Sequence, residues 1–278
     1  MWYNVTMQLI RVFPRKTSLT PVDLYAFAGD RAWPQLWRPP ADEVHVSVTF
    51  TWDIGLGHEL REAWAQYYPV VKIGGPALGS PVDDFVPGRY IKDGVTFTSR
   101  GCNRKCPWCL VPSREGKLRC IEDFAPGWII QDNNFLQCPA EHRQKVYAML
   151  GAQSKAASFS GGLDARLIDD TIADELRSIR IKDLFLAADT AQSLGVLAKA
   201  VTKLDWLRRD QLRCYVLIAF NGETMVEAAE RLEAVWQVGC VPFAQLYQPP
   251  DEYIEYSRDW KKLARSWSRP AAIAAMHS

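Results

Sequence analysis

Three cysteines fall within eight residues, in the stretch Arg100-Gly101-Cys102-Asn103-Arg104-Lys105-Cys106-Pro107-Trp108-Cys109. Their spacing is C-x3-C-x2-C, and an aromatic, Trp108, directly precedes the third. A thiolate is a soft ligand that suits iron–sulfur clusters, zinc and Cu(I). Three thiolates on one short loop can each take one iron of a 4Fe–4S cube. The fourth iron then has no ligand from this motif and stays open to a small molecule. A structural zinc loop is the competing reading, but a closed zinc site wants four ligands, typically two pairs of Cys or His. The nearest further donors, Cys120, Cys138 and His142, do not stand at zinc-finger spacing, so a cluster is the expected occupant.

The elements that must position this loop are readable from periodicity. The chain has 278 residues, enough for one large or two modest domains. Hydrophobic content is 48% and charged content 23%, ordinary for a soluble globular protein. With a net charge of +1, no global field draws it to nucleic acid or membrane. Met1-Trp2-Tyr3-Asn4 lacks the pattern of a signal peptide, and no apolar run reaches membrane-spanning length. Seven cysteines, an odd number with three clustered, do not read as a disulfide framework, and a reducing cytoplasm is expected.

Residues 1–88 read as a small, incomplete α/β unit. Val5–Val12 is a strand candidate, Val44–Phe50 alternates as a strand, Leu56–Tyr67 is an amphipathic helix, and Val70–Ile73 is the next strand. Strand, helix, strand is a βαβ unit. Pro81–Pro87, with Asp83-Asp84, is the expected linker. From residue 89 a second domain runs to 278. Strand-like runs begin near Val95, Trp128, Ala156, Asp183, Leu212 and Cys240. Helical patterns cover Ala140–Leu150, Asp169–Ile179, Ala191–Leu204, Glu223–Val238 and Glu255–Trp267. Alternating β and α elements predict parallel strands with right-handed crossovers, and six units are too few for the eight-unit barrel. In such architectures the site lies at the carboxyl ends of the strands, and the cysteine loop begins just past Thr96-Phe97-Thr98.

The C-x3-C-x-aromatic-C loop, with these repeats behind it, resembles the radical S-adenosylmethionine superfamily. The resemblance covers about residues 94–250 and implies a partial (β/α)6 TIM-like barrel. It also implies a 4Fe–4S cluster on Cys102, Cys106 and Cys109, with S-adenosylmethionine chelating the open iron. The stretch before it resembles, more weakly, a truncated, Rossmann-like remnant of the cobalamin-binding domain found ahead of many such barrels. That domain usually carries D-x-H-x-x-G. Neither His45 nor His58 stands in such a motif, so cobalamin ligation by that route is not expected.

The strand ends supply the remaining candidates. Asp132-Asn133-Asn134, after the second strand, resembles a run of cobalamin-linked members placed to hold the amino group of S-adenosylmethionine; a polar turn is the alternative. Ser160-Gly161-Gly162-Leu163-Asp164-Ala165-Arg166 follows the third strand. There the glycines would let backbone approach a ligand, with Ser160 a further contact, and Arg166 could pair with the ligand carboxylate, or with Asp164 alone. Asp189, after the fourth strand, resembles a ribose-hydroxyl acceptor; an N-cap for the helix at Ala191 is the alternative. Phe220, at the end of the fifth strand, resembles a residue bordering adenine, and Trp108 lies on the cysteine loop itself.

The activity implied is reductive cleavage of S-adenosylmethionine to methionine and a 5′-deoxyadenosyl radical, which abstracts hydrogen from a substrate. The electron would come from a donor such as flavodoxin or ferredoxin. A cobalamin-dependent methylase is the alternative within this class. A methylthiotransferase is not expected, since no cysteine precedes Cys102. Outside the class, an iron–sulfur or zinc module without turnover could bind nucleic acid through two basic stretches. Residues 100–119 hold six Lys or Arg against Glu115, and Arg258, Lys261, Lys262, Arg265 and Arg269 interleave with Trp260 and Trp267. Solvated charge and an amphipathic terminal helix are the favoured readings of both. Cys214 and Cys240 fall in strands and are expected to be buried packing residues. The substrate is not legible.

Overall fold

The structure, a computed structural model, describes residues 8–29, 39–79, 86–250 and 252–277. The chain divides into two compact units, Met1–Val95 with Pro250–Tyr253, and Thr96–Pro249 with Ile254–Ser278. Most of the expected linker, residues 81–85, lies outside the described residues, as do residues 5–7 of the first strand candidate. Residues 86–95 stay with the first unit, where the buried Arg11 donates to the carbonyls of Gly88 and Arg89 at 2.9 Å each.

The first unit is a parallel sheet of β1 (Leu9–Phe13), β2 (Ala26–Ala28), β3 (Glu43–Ser47) and β4 (Val71–Gly74), in the order β2-β1-β3-β4. Helix α1 (Ile54–Ala65) connects β3 to β4 and buries Leu60 and Trp64 in one core with Ile10, Val12, Val44 and Val46. The expected βαβ unit is this one. His45 lies half-buried in β3 between Glu43 and the Tyr90 hydroxyl, and His58 is exposed on α1.

The larger sheet begins with β5 (Val95–Thr96). A two-stranded antiparallel pair follows, β6 (Ser99–Arg100) and β7 (Arg119–Cys120), with the cysteine loop and the one-turn α2 (Val111–Arg114) between them. Then come β8 (Ile129–Ile130), α3 (Ala140–Gly151), β9 (Ala157–Phe159), α4 (Asp170–Arg177), β10 (Ile181–Ala187) and α5 (Ser193–Lys203). The chain continues through β11 (Leu212–Ile218), α6 (Met225–Val238) and β12 (Val241–Leu246), and closes with α7 (Arg258–Ser266) and α8 (Pro270–Met276). The six-strand order is β12-β11-β10-β9-β8-β5, and the pairings from β8 through β12 are parallel. The architecture is α/β with parallel sheets.

Local chemistry explains the helix ends. Thr224 and Glu227 form a reciprocal capping box at the start of α6, and Gly239, at φ 109°, stops it in the left-handed region. Asp169 caps α4 by accepting from the Ile172 amide at 2.8 Å. Burial along β11 alternates strictly, as a pleat demands. Leu212, Cys214, Val216 and Ile218 pack in the core with Leu197, Leu232 and Val235 of the flanking helices. On the opposite face Phe185, Tyr215 and Phe243 are only half-buried and contact one another, with Tyr215 stacked on Phe185 at 4.6 Å. Cys214 and Cys240 are fully buried in this core, and Trp267 of the basic tail is buried with them while Trp260 packs at its edge. Among the described residues, no helix is long and apolar enough to cross a membrane.

One buried cation joins the strand ends. Arg231 of α6 is 6% exposed and donates to the carbonyls of Leu217 (2.9 Å) and Ala188 (3.2 Å) while paired with Glu223. Removing one partner of a buried pair strands the other charge. Arg231→Ala is therefore expected to destabilise the protein by about 3 kcal/mol, read as a lower urea midpoint. An unchanged midpoint would mean that this guanidinium does not hold β10 and β11 together.

Candidate functional site: the cysteine loop and the strand ends

The loop leaves β6 through Gly101, whose φ is +80° and where a Cβ would stand 2.2 Å from the Lys117 carbonyl oxygen. Only glycine accepts both constraints. The Gly101 amide donates to Asn133 Oδ1 at 2.9 Å, and Asn103 reaches outward in both directions. Its amide donates to Gln137 Oε1 (2.9 Å), and its Oδ1 accepts from the Leu118 amide (3.1 Å). The lone acid of the basic stretch, Glu115, pairs with Arg100 at 2.6 Å.

Three N–H groups point at the Cys102 sulfur: the Arg104 amide (3.4 Å), Gln137 Nε2 (3.6 Å) and Asn134 Nδ2 (3.7 Å). Hydrogen bonds to a cysteine sulfur tune a cluster when one is bound. Burial pushes the Cys106 and Cys109 thiols up, opposed at Cys106 by the neighbouring Arg166 and at Cys109 by the Val111 amide. Cys106 feels the charge of Cys102 and Asp189, and Cys109 that of Cys102, Cys106 and Asp189, so the loop and the fourth strand end face one site.

Arg166 sits beside Cys106, yet its Nε and Nη2 also hold Asp164, at 2.6 and 3.0 Å. Asp164 is buried and accepts from Arg104 Nε of the cysteine loop at 2.8 Å. Burial alone would raise its pKa, but Arg166 and Arg104 bring it below the usual carboxylate value. The result is an Arg104–Asp164–Arg166 clamp tying loop to strand end. Asp189 is not the N-cap of α5, which falls to Gln192. It accepts from the Leu217 amide at 2.9 Å, and burial raises its pKa against the pull of that amide, Arg231 and the Trp108 side chain. Trp108 meets Phe220 edge-on at 5.6 Å, and Phe220 meets Tyr247 at 4.8 Å. The structure thus brings together Cys102, Cys106, Cys109, Trp108, Asn134, Arg166, Asp189 and Phe220.

Four residues are placed otherwise than the resemblance implies, Asn133 among them through its bond to the Gly101 amide. Asp132 is 1% exposed and its carboxylate is spent on the Thr98 amide (2.7 Å), the Thr98 hydroxyl (2.6 Å) and the Ser99 hydroxyl (2.7 Å). Ser160 Oγ donates to Gln131 Oε1 at 2.7 Å. Gly161 approaches backbone rather than a ligand: a Cβ there would lie 2.0 Å from the Asp132 carbonyl oxygen. Sequence reading missed Gln137, whose short polar side chain in a one-turn helix gives no signal, and Arg104, hidden among six basic residues.

Three cysteine sulfurs on the loop are soft donors of the kind that a cluster or a zinc ion takes. Ligands sharing a tetrahedral zinc lie about 3.5–3.8 Å apart, given Zn–S and Zn–N bond lengths. Among the described residues, Cys120, Cys138 and His142 form a group whose donor atoms lie within 4.8 Å of one another. In comparisons with known proteins, the chain matches no family model and no curated protein.

Gly101→Ala should break the loop's exit from β6. The expected cost is about 1–3 kcal/mol of stability, together with faster alkylation of Cys102 in the folded protein. Alkylation at the wild-type rate would show that the loop tolerates a side chain there.

Proposed function

We propose that this chain is a radical S-adenosylmethionine enzyme, with a 4Fe–4S cluster held by Cys102, Cys106 and Cys109. When bound, the cluster and S-adenosylmethionine together supply a 5′-deoxyadenosyl radical by one-electron cleavage of the sulfonium. The observation that carries the reading is the three-cysteine loop at the mouth of a parallel α/β sheet, with a charge-paired arginine, a buried carboxylate and an aromatic pair facing it. The six-stranded sheet is read as the partial barrel of that superfamily, and the N-terminal unit as its trimmed companion without a cobalt-ligating motif.

The chain's own residues divide the binding work. Gln137, Asn134 and the Arg104 amide hydrogen-bond the Cys102 sulfur and so would orient it. Arg166 keeps about half its side chain exposed beside Cys106, so it can take a carboxylate while Asp164 orients it. Asp132 is committed elsewhere; Asn134, whose Oδ1 is buried without a partner, is the acceptor left beside Cys102 for an ammonium. Asp189 would accept a ribose hydroxyl, and Trp108 and Phe220 would border the adenine. The uncovered aromatic face of Phe185, Tyr215 and Phe243 is the surface offered to a substrate. An external one-electron donor of the flavodoxin or ferredoxin kind completes the reading.

The test is anaerobic reconstitution with iron and sulfide, reduction, addition of S-adenosylmethionine and measurement of 5′-deoxyadenosine. Wild type should form it and Cys106→Ala should not. Arg166→Met should weaken S-adenosylmethionine binding roughly tenfold, the loss of one charge-assisted contact. Equal product from wild type and Cys106→Ala, or zinc in place of iron on the loop cysteines of protein isolated without oxygen, would overturn the reading.

A further inference from the structure

A second set of soft donors lies in the same unit. Cys120 is in β7, opposite Ser99 of β6. Cys138 ends the 3-10 turn Phe135–Gln137, its amide bonded to the Phe135 carbonyl at 3.0 Å. His142 is in the first turn of α3. Their two sulfurs and one ring nitrogen of His142 lie within 4.8 Å of one another. Nothing in the local sequence requires this. β7 and the turn before α3 arrive from different parts of the chain.

Two further observations point to a ligand. His142 is 7% exposed, and its Nε2 is buried with no hydrogen-bond partner. Buried polar atoms are almost always satisfied, so an orphan of this kind calls for an unseen partner. The donors also stand on fixed backbone. The Cys138 carbonyl accepts from Arg143 Nη1 at 2.7 Å, and Arg143 is itself held bidentately by Glu175 at 2.8 and 2.9 Å. Phe124 closes one side, edge-on to the His142 ring at 5.8 Å.

From this geometry we infer that Cys120, Cys138 and His142 bind a single zinc ion, separate from whatever the 102–109 loop holds. Two thiolates and an imidazole are a borderline-soft set that suits zinc, and the distances need to shrink by only about 1 Å to reach zinc bonding. Three protein donors leave the fourth position to solvent. Binding would release the protons of both thiols and leave no redox step to balance. The ion would pin β7 to the start of α3. That segment also carries Asn134 and Gln137, the side chains that reach Cys102.

The inference stands apart from the proposed enzyme activity and is tested without it. The full chain carrying Cys102→Ser, Cys106→Ser and Cys109→Ser together is purified without oxygen, and its metal content measured. It should hold about one zinc per chain, and adding Cys138→Ser or His142→Ala should lower that at least tenfold. A variant that fails to fold is bypassed by titrating Co2+ into the zinc-stripped triple variant and into the same protein with Cys120→Ser. Thiolate charge-transfer and tetrahedral d–d bands should appear in the first and weaken in the second. Absence of zinc with no Co2+ bands, bands unchanged by Cys120→Ser, or a Cys120–Cys138 disulfide in anaerobically purified protein would each overturn the inference.

Discussion

A single buried carboxylate sets where the cysteine loop begins. An ionised carboxylate out of water costs several kcal/mol unless its oxygens are answered. At Asp132 they are answered three times, by the Thr98 amide and the Thr98 and Ser99 hydroxyls. Burial still wins, leaving the pKa raised. Those donors are Thr98, in the turn after β5, and Ser99, the first residue of β6, so the segment after β8 fixes the origin of the loop that follows. Asn133 and Asn134 continue the same work one and two residues later, on the Gly101 amide and the Cys102 sulfur. Gly161 packs against the Asp132 backbone from the next strand, where any side chain would collide. The Asp-Asn-Asn run is thus a scaffold element first, and only Asn134 keeps a free acceptor beside the loop.

Charge near the loop is arranged rather than accumulated. Of the six basic residues in 100–119, Arg100 is spent on Glu115, Arg104 on Asp164, and Arg119 on the Glu115 carbonyl. Asp164 in turn orients Arg166. Part of the stretch that reads as a basic patch is therefore a set of ties within the fold. In the tail, Trp267 is core and Trp260 packs at its edge.

Much of this was legible because periodicity reports burial. The parallel strands and the helices of the larger sheet fall where alternation and 3.6-residue spacing put them, and the cysteine loop falls at a strand end as expected. Pairings between distant short segments were not legible. The β6–β7 pair is two residues per strand, too short to alternate. Arg231 looks like any charged helix residue until the fold buries it against two carbonyls. Cys120, Cys138 and His142 carry no motif, because their meeting is made by tertiary structure. Asp132 illustrates why: a carboxylate at a strand end serves a ligand or a turn equally well, and here it holds Thr98 and Ser99.

The fifth strand end shows where the fold spends stability. Ala219 and Asn221 both adopt positive φ, 64° and 53°, on either side of Phe220. For alanine this costs about 1–2 kcal/mol, and such strain persists only where surrounding structure enforces it. Here Glu223 accepts from the Ala219 amide at 2.9 Å, and Arg231 holds Glu223 while binding the carbonyls of Ala188 and Leu217. The buried arginine that joins two strands therefore also forces the backbone turn that aims Phe220 at Trp108. A relaxed turn with glycine at 219 would be cheaper. Enforcing a strained one, through an ion pair that itself had to be desolvated, makes sense when the direction of Phe220 matters to the site its ring faces.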